Sequence, residues 1–448
     1  MKHVMNRRLL LTGALGSSAA LAAACATRAA PELQVVQAPS APPSPLPPNL
    51  FGPQPGVALL SRNENPYGPS PKVMPAVAEA TGQGAYYADT AYLQSMIAEK
   101  NGVAPGQVVL STGSGEALAA VAMAWGAEGT LVVPSLFWET TVIYAEQKGA
   151  KVKRIPLTEG WDIDLEAMEA AVDESVSLVH LCNPNNPTGK LLDPVALRGF
   201  CERVSKKCTV IVDEAYNELT DDPEGNSVMD LVRAGENVIV ARTFSKIYGM
   251  AGMRIGYMMA NEENSARIAS YVMSWMGAPQ VAAAVAAYND EGFLAMSKQK
   301  VAEARGMVFE AVKSAGLTHL PSETNFVYVK VPDAELLRKA MAEQQVMIRG
   351  PYGDLTEWSR VSMGRIEDVE IHSRLDSSLL EHVNITLANA DHPANDNTFG
   401  KYASQAGGHD QVAGPNLVSL RHKLHYQPAG PRSNYDTTRP RFQYDAIG

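Results

Sequence analysis

The stretch TFSKIYGMAGMRIGY, residues 243–257, combines one lysine with two hydroxyl side chains and one arginine. Thr243 and Ser245 lie just before Lys246, and Arg254 follows the lysine by eight residues. A guanidinium and hydroxyl donors suit a phosphate group, while a lysine amine can condense with a carbonyl. These residue types at this spacing indicate a pocket for a phosphorylated carbonyl compound.

Short apolar runs rich in Val, Ile and Leu alternate with helical patterns along the chain. Runs of this kind are typical of strands that are buried on both faces of a mainly parallel sheet. The predicted strands are Gln107–Thr112, Thr130–Ser135, Ser177–Cys182, Thr209–Glu214 and Asn237–Thr243. The alternation predicts an α/β fold with helices on both faces of the sheet, and ligands of such sheets bind at the carboxyl ends of the strands.

Polar residues follow three more of these predicted strands. Gly113-Ser114-Gly115-Glu116 opens a helix whose free N–H groups either face a phosphate or form an ordinary cap. The sequence NPNNPTG, residues 183–189, is either a turn or a rigid support for an amide side chain. Asp213 either caps the next turn or pairs with a protonated heterocyclic nitrogen. A phosphate cradle, a carboxylate and an imine-forming lysine together predict a site for pyridoxal 5′-phosphate (PLP).

Five motifs carry a resemblance to a known family. They are NENPYGPSP (residues 63–71), NPNNPTG, DEAY (213–216), SK with an arginine eight residues later, and SRVSMG (359–364). With these motifs the chain resembles the fold-type I PLP-dependent aminotransferases of class I/II, closest to the histidinol-phosphate aminotransferase group. The resemblance covers roughly residues 59–371. It implies an aspartate-aminotransferase-like fold, with a large PLP-binding domain and a smaller α+β domain.

The resemblance also implies roles at matching positions. Lys246 would form the Schiff base and carry the proton, and Asp213 would keep the pyridine nitrogen protonated. Asn186 and Tyr216 would bond the 3′-oxygen of the ring. Tyr87 would reach the phosphate of a neighbouring subunit, which implies a homodimer with shared active sites. The phosphate would be held by Ser114, Gly115, Glu116, Thr243, Ser245 and Arg254.

On the substrate side, the resemblance implies that Arg360 grips the anionic end of the substrate and that Arg349 supplies a second positive group. Asn65 and Tyr67 lie in the N-terminal segment that closes over the pocket in relatives. No metal is expected, because the sequence has no Cys/His cluster with ligand spacing.

Two segments depart from the family pattern. In PSLFWET, residues 134–140, either Phe137 or Trp138 could stack on the ring, and the spacing to the following segment favours Trp138. The YYAD segment that contains Tyr87 lacks the arginine and proline usual there. Both departures affect the predicted substrate pocket more than the cofactor site.

The implied reaction moves an amino group between an amino acid, or a histidinol-phosphate-like amine, and a 2-oxo acid with ping-pong kinetics. A decarboxylase, lyase or cyclase on the same scaffold is one alternative. The other is an exported PLP-fold protein that binds a ligand without turnover. Lys246, Asp213 and Arg254 are all present, which argues against the second alternative. Arg360 favours transamination of a substrate that carries an acid.

Composition agrees with a soluble globular protein. The 448 residues are 46% hydrophobic and 19% charged, and the formal net charge is −10. This charge argues against nucleic acid as a partner. Cys182, Cys201 and Cys208 follow the N-terminal region and are interpreted as small buried hydrophobes, with a Cys201–Cys208 disulfide as the alternative.

The first 30 residues predict export. A basic start, an apolar middle and a run of alanines are typical of a secretory signal, and Arg7 and Arg8 resemble a twin-arginine signal. We therefore expect a periplasmic protein. Cys25 is a candidate lipid anchor, although cleavage at the neighbouring alanines is equally compatible with the sequence. After the first thirty residues no apolar run is long enough to span a bilayer.

Composition and periodicity divide the rest of the chain. The region after the signal is rich in Pro and Ala and predicts an extended tether. Beyond residue 384 the sequence loses its periodicity and becomes polar, so we assign it no fold. The predicted segments are signal 1–30, linker 31–56, N-terminal part of the small domain 57–80, large domain 81–279, small domain 280–384 and unassigned tail 385–448.

Overall fold

A computed structural model describes residues 51–374 of the chain. None of the helices in this part is both long and apolar enough to cross a membrane. The strands are β1 (Ala58–Leu60), β2 (Val108–Ser111), β3 (Thr130–Pro134), β4 (Val152–Ile155), β5 (Val176–Cys182), β6 (Thr209–Asp213), β7 (Val238–Thr243), β8 (Gly256–Met259), β9 (Thr318–His319), β10 (Phe326–Lys330), β11 (Val346–Ile348) and β12 (Trp358–Ser362). The α-helices are α1 (Val73–Gly82), α2 (Ala91–Asn101), α3 (Ser114–Gly126), α4 (Thr140–Glu146), α5 (Leu165–Ala170), α6 (Pro194–Val204), α7 (Met229–Arg233), α8 (Glu262–Tyr271), α9 (Ala278–Tyr288), α10 (Glu291–Ser314), α11 (Ala334–Glu343) and α12 (Ile366–Arg374).

A seven-stranded sheet with the order β2-β8-β7-β6-β5-β3-β4 forms the centre of the fold. Its strands are parallel except β8, which runs antiparallel to both β2 and β7. Along β6, Val210 and Val212 pack into one hydrophobic cluster and Ile211 into the other. Side chains alternate between the faces of a strand, so both faces are buried and every residue of the run must be apolar. The mainly parallel α/β sheet predicted from these runs is confirmed.

The register of this sheet brings the predicted functional residues to one edge. Cys182 at the end of β5 pairs with Asp213, and Asp213 pairs with Ala241 near the end of β7. The segments that follow β5, β6 and β7 therefore begin side by side. One of them carries Asn186, and another carries Lys246.

Two smaller sheets carry the substrate-side residues. β10 lies between β9 and β12, and the antiparallel register places Tyr328 opposite Arg360. β1 pairs in parallel with β11, so the first strand of the described region joins one of the last. A backbone bridge between Arg349 and Arg360 connects the end of β11 to β12.

Glycines allow the N-terminal segment to approach the lysine loop. A Cβ on Gly68 would lie 2.5 Å from the Cα of Gly249, and Gly249 has a φ of +66°. A side chain at either position would separate the two backbones. Residues 63–68 therefore pack directly on the loop that contains Lys246.

A contact with another part of the chain lies just beyond the end of helix α8. α8 ends at Tyr271, and Val272 is extended. The N–H of Ser274 donates to the Glu116 carboxylate at 3.0 Å, so a tertiary contact holds the following segment outside the helix. β4 and β8, each four residues long, were not among the predicted strands.

The three cysteines of the described region, Cys182, Cys201 and Cys208, are buried free thiols, so the Cys201–Cys208 disulfide is absent. The predicted signal in residues 1–30, which contains Cys25, and the predicted tail in residues 385–448 lie outside the described residues. The predicted domain boundaries stay predictions.

Candidate active site

Lys246 lies on the loop after β7, above the ring of Tyr216. Its Nζ is 5.4 Å from the centre of that ring. Burial and the charge of Arg360 lower the pKa of Lys246 to about 8, while the Glu64 and Asp213 carboxylates oppose this shift. An amine with such a pKa can both accept and release a proton near neutral pH.

Asp213 is the last residue of β6 and is only 4% exposed. Its Oδ1 accepts the N–H of Ala215 at 3.2 Å. Burial raises the pKa of Asp213 to about 7, although this hydrogen bond and the charge of Lys246 act in the opposite direction. A cationic partner would compensate for the desolvation of this carboxylate.

A chain of hydrogen bonds connects Arg360 to the hydroxyl of Tyr216. The Nη1 of Arg360 donates to Asn186 Oδ1 at 2.7 Å, and Asn186 Nδ2 donates to the Tyr216 hydroxyl at 3.2 Å. Asn63 Nδ2 donates to the same hydroxyl at 3.1 Å. The two amides that meet at Tyr216 are 123 residues apart in the sequence, and only the tertiary fold brings them together.

The start of α3 and Arg254 form the predicted phosphate end of the site. Gly113 precedes the helix with a φ of +84°, and a Cβ there would lie 2.8 Å from the Cζ of Arg254 and closer still to Nη2. Arg254 donates from Nη1 to Ser245 Oγ at 3.4 Å and to the Ala251 carbonyl at 2.9 Å. The guanidinium therefore lies directly beside the helix N-terminus, where an anion is favoured.

Two more of the predicted phosphate residues make hydrogen bonds within the protein. The Glu116 carboxylate accepts the N–H and the hydroxyl of Thr112, both at 2.7 Å, in addition to the N–H of Ser274. The Glu116 backbone N–H donates to the Gly113 carbonyl. Thr243 Oγ1 accepts the N–H of Ser245 at 3.1 Å. In these positions, Glu116 and Thr243 shape the loops around the site.

Phe137 and Trp138 lie in different environments. Phe137 is 4% exposed and packs edge-on against His180 at 5.1 Å, within the core. Trp138 is 36% exposed, and its ring edge lies 3.4 Å from the position of a Cβ on Gly115. Trp138 is thus next to the loop at the start of α3, as the predicted stacking residue would be.

Arg360 and Arg349 both lie close to one aromatic ring. Their Cζ atoms are 5.8 Å and 5.3 Å from the centre of the Tyr352 ring. Arg360 also donates from Nη2 to the Ser61 carbonyl at 2.6 Å, and its buried Nε has no partner within residues 51–374. The arrangement places two positive charges where the sequence predicted them, with donor capacity left on Arg360.

Within the motif NENPYGPSP, Asn63 donates to the Tyr216 hydroxyl, a contact that was not predicted. The predicted residue Asn65 donates to the Ile247 carbonyl at 2.7 Å and to Ser297 Oγ at 3.0 Å. The hydroxyl of Tyr67 accepts the N–H of Ile366 at 2.9 Å. Asn65 and Tyr67 fasten the segment to its neighbours. The only signal for Asn63 was its membership in the same motif.

Comparison with known proteins gives the family. The family described as "Aminotransferase class I and II" matches residues 55–374. Histidinol-phosphate aminotransferase 1 of Dechloromonas aromatica is 35% identical over 317 residues, which cover 69% of this chain and 86% of the relative. The chain belongs to the class I and II aminotransferases.

Solved structures of such aminotransferases share the fold. Histidinol-phosphate aminotransferase from Sinorhizobium meliloti, solved in complex with PLP, is 28% identical with a TM-score of 0.68, and the match covers 74% of this chain and 92% of that one. Aspartate aminotransferase from Thermus thermophilus, solved with maleate, is 22% identical with a TM-score of 0.63, covering 72% and 92% of the two chains, and shows the fold alone. This chain is therefore a PLP-dependent aminotransferase of fold type I, and the decarboxylase, lyase, cyclase and non-catalytic alternatives are not favoured.

The residues of this aminotransferase fit PLP. A buried carboxylate at Asp213 suits a protonated ring nitrogen, the amine of Lys246 suits an aldehyde, and the helix start beside Arg254 suits a phosphate. Within residues 51–374 there is no group of three or more His, Cys, Asp or Glu side chains that could hold a metal ion.

Proposed function

We propose that Lys246, Asp213, Asn186 and Tyr216 form the catalytic centre of this aminotransferase, and that Arg360 binds the carboxylate of its substrates. The observation that carries the proposal is the hydrogen-bonded chain from Arg360 through Asn186 to Tyr216, which ends beside Lys246. It joins the residue for the substrate anion to the residues for the cofactor ring. Ser114, Ser245 and Arg254 hold the phosphate, and Trp138 covers one face of the ring.

Each residue of this centre has a distinct task. PLP, when bound, supplies an aldehyde for the amino group and a protonated ring that accepts the electron pair from the substrate Cα. Asp213 holds the proton on the ring nitrogen, and the resulting charge pair offsets its desolvation. Lys246 would take the proton from the substrate Cα and deliver it to C4′ of the cofactor, as its lowered pKa allows. Asn186 and Tyr216 orient the ring by its 3′-oxygen.

The substrates are an amino acid and a 2-oxo acid, and at least one carries a second anionic group. Within residues 51–374 the buried Nε of Arg360 has no partner, so it is available for a carboxylate. Arg349 adds a second charge beside the Tyr352 ring. A histidinol-phosphate-like amine is compatible with this pair of arginines. If the chain is exported, a free amino acid fits better, because the phosphorylated amine is made in the cytoplasm.

The protein acts as a homodimer in this proposal. Tyr87 is 86% exposed and packs edge-on against Trp275, which is 76% exposed, at 5.0 Å. Tyr86 and Met273 are exposed close by in sequence. Exposed aromatic side chains of this size favour a covering partner, and a second copy would bring Tyr87 to the neighbouring phosphate.

The protein is also exported to the periplasm in this proposal, through the twin-arginine-like signal in residues 1–30. That pathway carries folded proteins, so the enzyme can leave the cytoplasm with PLP already bound. Cell fractionation of the wild-type chain and of a variant with Arg7 and Arg8 replaced by lysine tests export. The mass of the mature protein then separates an acylated Cys25 from simple cleavage.

The visible absorption of the purified chain with PLP tests the activity. The band of bound PLP is expected to bleach when the correct amino acid is added and to return with a 2-oxo acid. Lys246→Ala is the control and should show no such cycle. A band that persists with a broad panel of amino acids contradicts transamination of free amino acids. Folded protein without any band after addition of PLP contradicts the assigned site.

A further inference from the structure

Asn63 is held by the protein at every polar group. It is 1% exposed, and its φ of 56° lies in the left-handed region. Its N–H donates to Ser362 Oγ at 3.0 Å, the Ser362 hydroxyl donates to its Oδ1 at 2.6 Å, and its carbonyl accepts from Asn325 Nδ2 at 2.9 Å. A residue in a strained backbone region persists only where the surroundings determine it, and such residues cluster at functional sites.

The side chain of Asn63 fixes how the Tyr216 hydroxyl is used. Arg360 can only donate, so the Oδ1 of Asn186 must be the atom that accepts from it, and Asn186 Nδ2 must be the donor to Tyr216. The Ser362 hydroxyl occupies Oδ1 of Asn63, so its Nδ2 is likewise the donor to Tyr216. A phenol oxygen that accepts two hydrogen bonds has its own proton left for a third partner.

We propose that Asn63 is a positioning residue for the reaction: it keeps the Tyr216 hydroxyl as an acceptor from protein amides, so that the phenol proton is donated to the 3′-oxygen of bound PLP. This inference rests on the proposed role of Tyr216. Asn63 belongs to the N-terminal segment. Its partner Ser362 lies on β12, the strand of Arg360, and its partner Asn325 directly precedes β10, which pairs with β12. The cofactor's 3′-oxygen is thereby coupled to the part of the fold that binds the substrate.

The electrostatic consequence has a definite sign. Burial raises the pKa of Tyr216, and the charge of Arg360 and the hydrogen bond from Asn63 oppose that rise. A more acidic phenol is a stronger donor, and donation stabilises negative charge on the 3′-oxygen. The linkage between Lys246 and PLP should then lose its proton at a lower pH than it would without Asn63. Removal of Asn63 should move the pH midpoint of the visible band upward.

The test uses the full chain and two replacements at this position. Asn63→Gly removes the amide and tolerates the positive φ, while Asn63→Asp keeps the shape and exchanges the donor for an acceptor. Tyr216→Phe removes the hydroxyl. Asn264→Ala is the matched control, because Asn264 is also buried and donates from Nδ2, to Asn237 Oδ1 at 2.8 Å, on helix α8. The dissociation constants of PLP and of an analogue without the 3-hydroxyl group are measured for each variant.

Asn63→Gly should weaken PLP binding about fivefold, the size of one lost hydrogen bond, and leave binding of the analogue unchanged. The pH midpoint of the visible band should rise by about half a unit to one unit. Asn63→Asp should have the larger effect, because its carboxylate accepts the hydrogen bond of the phenol and competes with the 3′-oxygen of PLP for it. In the Tyr216→Phe background neither replacement should change PLP affinity further. Asn264→Ala should lower the melting temperature without changing affinity or midpoint.

Four results would overturn the inference. Equal losses for PLP and the analogue in the Asn63 variants would mean that Asn63 acts on the fold alone. Undiminished losses in the Tyr216→Phe background would mean that it does not act through Tyr216. If Tyr216→Phe itself binds PLP and the analogue with unchanged affinities, the role of Tyr216 in the proposed function fails, and the inference fails with it. If Tyr216→Phe discriminates and the Asn63 variants do not, only the inference fails.

Discussion

Replacement of Gly113 by alanine should weaken PLP binding by displacing the guanidinium of Arg254. Gly113 adopts a φ of +84° before helix α3, and a Cβ there would lie 2.8 Å from Arg254 Cζ. The ψ of 148° places this residue outside the left-handed helical region, in a conformation close to one that is essentially restricted to glycine, and the strain of alanine there costs about 1–3 kcal/mol. Arg254 is exposed, so its flexible side chain can move away and relieve the overlap without disturbing the core.

The displaced guanidinium can no longer hold the phosphate at the helix start. A hydrogen bond to a charged group contributes about 1.5–3 kcal/mol, so the affinity for PLP should fall about 10- to 100-fold. The strain should lower the melting temperature of the PLP-free chain by about 2–4 °C per kcal/mol. The loss of affinity arises from the phosphate contact, whereas the strain is present with and without ligand.

Equilibrium titration of the PLP-free chain with PLP and with pyridoxal, which has no phosphate, separates the two effects. Gly113→Ala should weaken PLP and leave pyridoxal almost unchanged. In an Arg254→Ala background the same replacement should cost little further affinity, because the group that it displaces is gone. Unchanged PLP affinity in Gly113→Ala, or an equal loss with and without Arg254, would refute the reasoning.

Three further predictions concern charge and assembly. In the PLP-free protein, burial raises the pKa of Asp213 to about 7, so the folded state keeps a proton that the unfolded state releases between about pH 4 and 7. The contribution of Asp213 to the free energy of unfolding should therefore fall as pH rises through that window. In Asp213→Asn the melting temperature should depend less on pH there, and an unaltered pH dependence would assign the effect to another group. Arg360→Lys loses the planar guanidinium that donates to Asn186 and Ser61. The KM for the 2-oxo acid should therefore rise at least about tenfold. An unchanged KM in steady-state kinetics would contradict the substrate role of Arg360. Trp275→Ser should shift sedimentation toward the monomer at low concentration, whereas a wild-type profile would exclude this surface from the dimer.

The sequence was most informative where a side chain ends a buried strand. Asp213 and Lys246 were predicted from local patterns because an apolar run specifies a buried parallel strand, and parallel strands present their carboxyl ends at one edge. Asn186 and Arg254 followed from motifs in the same loops. These positions depend on sequence neighbours, so a pattern of a few residues was sufficient to predict them.

Contacts between distant segments were decided only by the tertiary structure. Nothing local distinguishes Asn63 from Asn65. The contact of Asn63 with Tyr216 depends on hydrogen bonds to Ser362 and Asn325, which are 299 and 262 residues away in the sequence. The end of α8 at Tyr271 likewise depends on a carboxylate of Glu116, 158 residues away from its partner Ser274. Local propensity and periodicity act over a few residues, whereas the pocket is completed by hydrogen bonds whose partners meet only when the sheets have packed.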